Sequence, residues 1–271
     1  MRRTDRNAAT YLGMSTMPHP QSPLRGTTCK MSPLRRIIAE RMTQSLRVSA
    51  HLTTVVEVDM TELRKRRAIV NAPTRAGAKR VGYLPFVAQA AVGALIDNPV
   101  VNASIADDAR TVTYHDFEHL AVAVDTPRGL IVPVIHDASG LSLTEMADAI
   151  ASLAARARDN TLRPKELRGG TFTITNTGSR GALFDTPIIN QPQVAILGFG
   201  AVVDRPVVIG DPGGEPRIVV APMAYLSMSY DHRLVDGADA ARYLTDLRNR
   251  IESPDTGATA SRTDAVTVRI E

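Results

Sequence analysis

Hairpin-forming strands and capped helices follow one another along this chain without strict alternation, and that order limits its architecture more than any single motif. Residues 120–124 and 130–135 are apolar, β-prone runs joined through Thr126, Pro127, Arg128 and Gly129, the grammar of a β-hairpin. A longer hairpin is predicted from residues 207–209 and 218–230, connected by DPGGEP. Between the two, Ser142 and Glu145 form a capping box ahead of Leu143, Met146, Ile150 and Leu153, which recur at helical spacing. Hairpins make antiparallel neighbours, so the pattern favours an α+β fold, a mixed β-sheet sandwich with flanking helices, over a doubly wound parallel sheet.

The remaining elements fit that scheme. Ser32 and Pro33 read as an N-cap and first helical residue before Leu34, Ile37, Ile38, Met42 and Leu46. Residues 53–60 are rich in β-branched side chains and read as a strand, after which Asp59 or Thr61 caps a short basic helix through Arg64 and Arg67. Residues 71–80 read as a loop. Pro85 opens a buried helix that is small on one face (Ala88, Ala91, Ala94), runs toward Ile96 and is stopped by Asn98 and Pro99. Strands are predicted at 111–114, 171–175 and 194–199, and a last helix starts near Asp236 or Ala238 and ends at Ile251. A length of 271 residues suits one large domain. Residues 1–30 read as a flexible N-terminal arm, 31–252 as the folded domain and 253–271 as a polar C-terminal tail.

Composition narrows the function classes. Aromatics make up 4% with no Trp, which argues against a stacking platform for single-stranded nucleic acid, and a net charge of +4 adds little to that reading. The positive charge is concentrated between Glu62 and Arg80, where seven basic residues face one acid. That cluster reads as a solvated helix face before it reads as a phosphate site. The single cysteine, Cys29, excludes an internal disulfide and a multi-thiolate zinc site, so no metal and a reducing cytoplasm are expected. The best uncharged run, residues 81–96, is too short to cross a membrane and contains Pro85 and Gln89.

Two segments carry chemistry. In Tyr230-Asp231-His232-Arg233-Leu234-Val235-Asp236-Gly237 a strand gives way to a turn and a helix. His232 suits a general base near neutral pH, Asp236 could orient it or fix the turn, and Gly237 permits a backbone angle that other residues resist. Read alone, a His and an Asp four apart are more often a surface pair. In the second segment, residues 171–199, a strand ends in Asn176, Thr177 and Gly178 and an irregular loop carries Pro187, Asn190 and Pro192. It reads equally well as a binding loop and as a plain crossover.

Taken together, SPLRRIIAERMTQS (32–45), EVDMTEL (57–63), NPVVNAS (98–104), AVAVDTPRGLIVPVI (121–135), GGTFTITNTG (169–178), DTPIINQPQVAILGFG (185–200) and SMSYDHRLVDGADAARYL (227–244) change the odds. In this order they resemble the catalytic domain of the 2-oxo acid dehydrogenase acyltransferases, the dihydrolipoamide acyltransferase cores within the chloramphenicol acetyltransferase-like superfamily. The resemblance covers roughly residues 30–252 and implies a chloramphenicol acetyltransferase-like fold.

It also implies an acyl transfer between the thiols of dihydrolipoamide and coenzyme A. His232 matches the general base, and Thr175 matches the hydroxyl that donates to the thioester oxygen. A thiol of ordinary pKa is only a few per cent thiolate at pH 7, so a positioned base has work to do. The thiol substrate brings its own nucleophile, so no acyl-enzyme on Thr175 is needed. By resemblance Asp236 is structural and ion-paired to Arg35, and the chain forms a homotrimer in which His232 and Thr175 come from different subunits. The family's lipoyl domains have no counterpart in these residues, so a lipoyl group is expected in trans, from a lipoyl-bearing protein, with the dehydrogenase subunits as further partners. The tail lacks the leucine-rich segment that ties such trimers into cages. A stand-alone coenzyme A-dependent acyltransferase with a non-lipoyl acceptor and a non-catalytic scaffold are the alternatives. Acetyl, succinyl and branched acyl groups all stay open.

Overall fold

The computed structural model describes residues 24–72, 80–210 and 215–253. Most of the expected N-terminal arm, much of the 71–80 loop, the tip of the DPGGEP turn and the C-terminal tail lie outside the described residues.

Helix α1 (Pro33–Val48) begins where Ser32 accepts a hydrogen bond from the Arg35 backbone and Pro33 supplies a helical φ. Strand β1 (His51–Asp59) follows, then α2 (Thr61–Asn71). The α2 cap position belongs to Met60, which offers no side-chain acceptor, while the Asp59 carboxylate accepts the Thr61 N–H at 2.8 Å. The basic face of α2 is engaged with its neighbours. Arg64 pairs with Asp204, Lys65 with Glu62, Arg67 stacks on Tyr83 and bonds the Val81 carbonyl, and Arg66 lies over Phe86.

Helix α3 (Leu84–Asp97) is the most buried of the five described helices, with Ala88, Ala91 and Ala94 each fully enclosed. Strands β2 (Ala103–Ile105) and β3 (Val112–Tyr114) form a small ribbon. The expected 120–135 hairpin is present but broken in two. Its tip is β5 (Val124–Thr126) paired with β6 (Gly129–Ile131), and its base is β4 (Leu120–Val122) paired with β7 (Val134–Ile135). Pro133, which has no N–H to give a ladder, lies at the break. Helix α4 (Leu143–Arg158) has the complete Ser142/Glu145 capping box.

Strands β8 (Phe172–Asn176), β9 (Ala195–Phe199), β10 (Val203–Ile209) and β11 (Arg217–Asp231) complete the main sheet, and α5 (Gly237–Glu252) closes the described chain. The sheet runs β1-β11-β9-β8-β4-β7, with β10 also on β11. Its β4–β8 and β8–β9 pairs are parallel and the others antiparallel, so the mixed α+β class holds.

Register divides the sheet into two unlike faces. Cross-strand partners point the same way. One face therefore collects Leu226, Met228, Tyr230, Leu197, Phe199, Phe172 and Ile174, all buried in one core with Ala91, Leu95, Tyr243 and Leu247 of the helices. The opposite face carries small and polar groups in the same rows: Thr53, Ser227, Ser229, Asp231, Gly198, Thr173 and Thr175. The loop between β8 and β9 and helix α1 lie over that face. Ser45 donates to the Ile189 carbonyl at 2.6 Å, Gln191 to Ser49 at 2.8 Å, and Thr173 to Gln193 at 2.5 Å. Hydroxyls buried without such partners would each cost about 1–3 kcal/mol, so this second layer fixes the loop.

Candidate active site

His232 sits on the first residue after β11, where the ladder ends. Its backbone N–H donates to the Ala50 carbonyl at 2.8 Å and that of Asp231 to the Val194 carbonyl at 2.8 Å, so both flanking strands hold the turn. The His232 side chain is exposed, with the Tyr230 ring 6.0 Å away.

The turn is clamped by a pair that sequence reading missed. Asp231 is 1% exposed, and its carboxylate accepts from the Arg233 guanidinium at 2.7 Å, from the Arg233 N–H at 3.1 Å and from the Ala50 N–H at 3.2 Å. Burial pushes the Asp231 carboxyl upward, but the Arg233 and Ala50 hydrogen bonds outweigh it and leave the group below its ordinary value. His51 is the cross-strand partner of Asp231. Burial lowers its pKa, and its Nε2 has no hydrogen-bond partner.

Asp236 occupies a different role from the one expected. Its carboxylate accepts the Asp239 N–H at 2.8 Å and the Asp239 carboxylate accepts the Asp236 N–H at 3.1 Å, a reciprocal cap on α5. The Asp239 backbone bond holds its carboxyl below the ordinary range. No ion pair joins it to Arg35, whose guanidinium lies beside Gly129 in the β5–β6 turn. The reason is placement: Asp236 is spent on the first turn of α5, while Arg35 is carried by the first turn of α1. Gly237 also departs from expectation, because its φ is not positive and a Cβ there would meet nothing within 4 Å. Turn geometry therefore does not require glycine at 237.

Thr175 lies near the end of β8, partly exposed, paired with Gly198, which pairs in turn with Ser227. Ser227 is five residues before His232 and two strands away from Thr175. At about 3.3 Å per residue and 4.8 Å between strands, His232 and Thr175 are separated by roughly 15–20 Å within one chain. The fold thus presents two chemical groups, about five residues apart along β11 and two strands apart across the sheet, that one subunit does not bring together.

A cleft of about 700 Å³ opens between α1 and the segments around Gly170 and Pro192. Glu40, Arg41, Gln44, Arg168 and Gln193 line it, together with Gln191, whose hydrogen bond to Ser49 ties the cleft to the C-terminal cap of α1, one residue before Ala50. The peptide bond between Gln191 and Pro192 is cis.

Comparison with known proteins defines the class. The family of 2-oxoacid dehydrogenases acyltransferase (catalytic domain) matches residues 24–258, and the chain belongs to it. The dihydrolipoyllysine-residue acetyltransferase component of the pyruvate dehydrogenase complex of Mycobacterium bovis is 53% identical over 233 residues, 84% of this chain and 42% of that protein. The bovine mitochondrial succinyltransferase component of the 2-oxoglutarate dehydrogenase complex is 42% identical over 226 residues, 83% of this chain and 49% of that protein. The chain therefore spans less than half the length of these relatives. A crystal structure of a probable dihydrolipoamide acetyltransferase from Listeria monocytogenes matches with a TM-score of 0.78 at 32% identity, over 85% of this chain and 96% of that one.

Proposed function

We propose that this chain is the acyltransferase core of a 2-oxo acid dehydrogenase complex, moving an acyl group between the thiols of dihydrolipoamide and coenzyme A. His232 takes the proton of the attacking thiol, the thiolate attacks the thioester carbonyl, and the Thr175 hydroxyl donates to the oxygen that gains negative charge. The departing thiolate then recovers a proton from the His232 imidazolium. A base of this kind contributes about 10²–10⁴-fold and one oxyanion donor about 10²–10³-fold.

The observation that carries this reading is the exposed His232 on a turn fixed from three sides in a chain of this family. The separation of His232 from Thr175 supports a homotrimer whose active site forms between subunits. So do Ile37, Leu46, Leu52 and Val55, large apolar side chains on α1 and the outer strand β1 that are 38–51% exposed in the single chain. Asp236 supports the site by starting α5 immediately after the turn, and Arg35 by bracing α1 against the β5–β6 hairpin. The lipoyl group arrives on a lipoyl-bearing partner, and the dehydrogenase subunits are the other partners. Among the described residues no helix is long and apolar enough to cross a membrane, and thiol chemistry suits a cytoplasmic setting. Incubation with acetyl-, succinyl- and isobutyryl-coenzyme A plus dihydrolipoamide, beside a His232→Ala control, tests the proposal. Transfer absent with every donor refutes the function, and transfer undiminished in the control refutes the mechanism.

A further inference from the structure

One wall of the cleft is formed by Leu167, Arg168, Gly169 and Gly170, and two histidines that the acyl-transfer reading does not use lie behind it. Register brings them together: Leu120 pairs with Ile135, so His119, one residue before β4, falls beside His136, one residue after β7. Their rings meet edge to face with centroids 4.5 Å apart. Both touch the wall, because a Cβ on Gly169 would stand 3.5 Å from His136 Cε1 and 4.0 Å from His119 Cδ2.

Each ring is also bonded to a segment that carries the wall. The Asp137 N–H donates to His119 Nδ1 at 3.1 Å. His136 Nε2 lies 3.1 Å from the Lys165 carbonyl, which can only accept, so His136 carries a proton on Nε2. The far end of the wall is held by the His119 backbone, whose carbonyl accepts the Thr171 N–H at 2.8 Å.

This arrangement requires an uncharged His119. Its Nδ1 is an acceptor, and a proton there would set one N–H against another and place a cation against the His136 ring. The carboxylate of Asp137, 3.8 Å from Nδ1, is the partner that a charged His119 would take instead. Asp137 must turn to offer it, from a left-handed φ of +51°, and it is bonded covalently to His136. Around the pair stand His115, behind the Phe117 ring that stacks on His119, with Asp116 and the buried Glu118 on the same segment. On the wall side are Lys165, Arg168 and Glu166, the last held by Arg156 and Arg163. Burial, and after it His136, keeps the His119 pKa below its ordinary value although Asp137 pulls the other way, so the uncharged form prevails at neutral pH.

We propose that the His119–His136 pair is a pH-sensitive latch on the cleft: uncharged, it holds the 167–170 wall in place, and protonation of His119 frees Asp137, shifts His136 from the Lys165 carbonyl and loosens that wall.

The test is hydrogen–deuterium exchange of the purified full chain at about pH 7.5 and about pH 5, on either side of the ordinary histidine range, with each rate divided by its intrinsic rate at that pH. The reporters are the Asp137 amide, bonded to His119 itself, and the Thr171 amide that ends the wall; peptides from α3 report the global fold. In the parent, corrected exchange at both reporters rises about tenfold at the lower pH, the effect of losing one hydrogen bond, and α3 is unchanged. His119→Asn keeps an acceptor for the Asp137 N–H but takes no proton, and there the rise disappears. His119→Gln replaces it if the Asn variant fails to fold. No rise in the parent, a rise at Asp137 without one at Thr171, a rise shared equally by α3, or a rise that persists in the uncharged variant overturns the latch.

Discussion

Asp231 and Arg233 bond to each other across His232, with the buried carboxylate accepting at 2.7 Å from a guanidinium on the far side of the turn. The pair fixes the backbone on both sides of the imidazole while leaving the ring exposed. Replacing Asp231 with Asn keeps the shape but strands Arg233, and the expected loss is about 2–3 kcal/mol, less than a fully buried pair because the Arg233 side chain is 32% exposed. Thermal unfolding should fall by roughly 5–10 °C. An unchanged midpoint would show that the turn does not depend on the pair.

Acid stability follows from the same type of contact. Glu166 is bound by Arg156 at 2.6 Å and by Arg163 at 2.8 Å, and the Arg156 bond is the main reason its carboxyl lies far below the ordinary carboxylate range. Asp231 is depressed as well. Carboxyls with lowered folded-state pKa values stabilise the fold fully above about pH 5, and the benefit is lost as pH falls toward the folded-state values, because the unfolded chain takes up those protons first. Glu166→Gln should lower the unfolding midpoint at pH 7 by about 3–6 °C and by a smaller but still measurable amount at pH 3, where the unfolded chain is already protonated and the folded carboxylate is not. Equal losses at both values would contradict the charge argument.

Two glycines separate steric need from tolerance. A Cβ on Gly178 would strike the backbone of Gly200 and Ala201, which no rotamer change relieves. Gly178→Ala should cost more than about 3 kcal/mol and reduce soluble yield. Gly237→Ala meets open space at the first position of α5 and should leave the unfolding midpoint of the isolated chain within about 2 °C.

His232→Ala should reduce transfer by about 10²–10⁴-fold with little change in thermal midpoint, since the side chain is exposed and its ring lies 6.0 Å from that of Tyr230. A loss of activity accompanied by unfolding would instead mark His232 as structural.

Much of the fold is legible in local chemistry. Ser32, Ser142 and Asp236 are side-chain acceptors one residue before apolar periodicity begins, and each is an N-cap in the structure. His232 and Thr175 stand out because a motif set surrounds them. What one chain's letters do not announce is set by register. His119 and His136 look like ordinary loop residues until the pairing of β4 with β7 sets them side by side. Asp231 reads as a neighbour of the motif rather than as its clamp, because nothing local reveals that β1 and β11 bury it. The Arg35–Asp236 pairing fails for the converse reason: a helix start uses the carboxylate first.

The claim on which the rest depends is that His232 and Thr175 of different subunits form one site. His232→Ala and Thr175→Val chains, each inactive alone, should be co-expressed and the mixed oligomer assayed for transfer from acetyl-coenzyme A to dihydrolipoamide. In a ring whose interfaces pair His232 of one chain with Thr175 of the next, random mixing leaves about a quarter of the interfaces with both groups intact. Recovery of about one quarter of the parent activity is the predicted result; no recovery from a verified mixed oligomer would contradict the shared site.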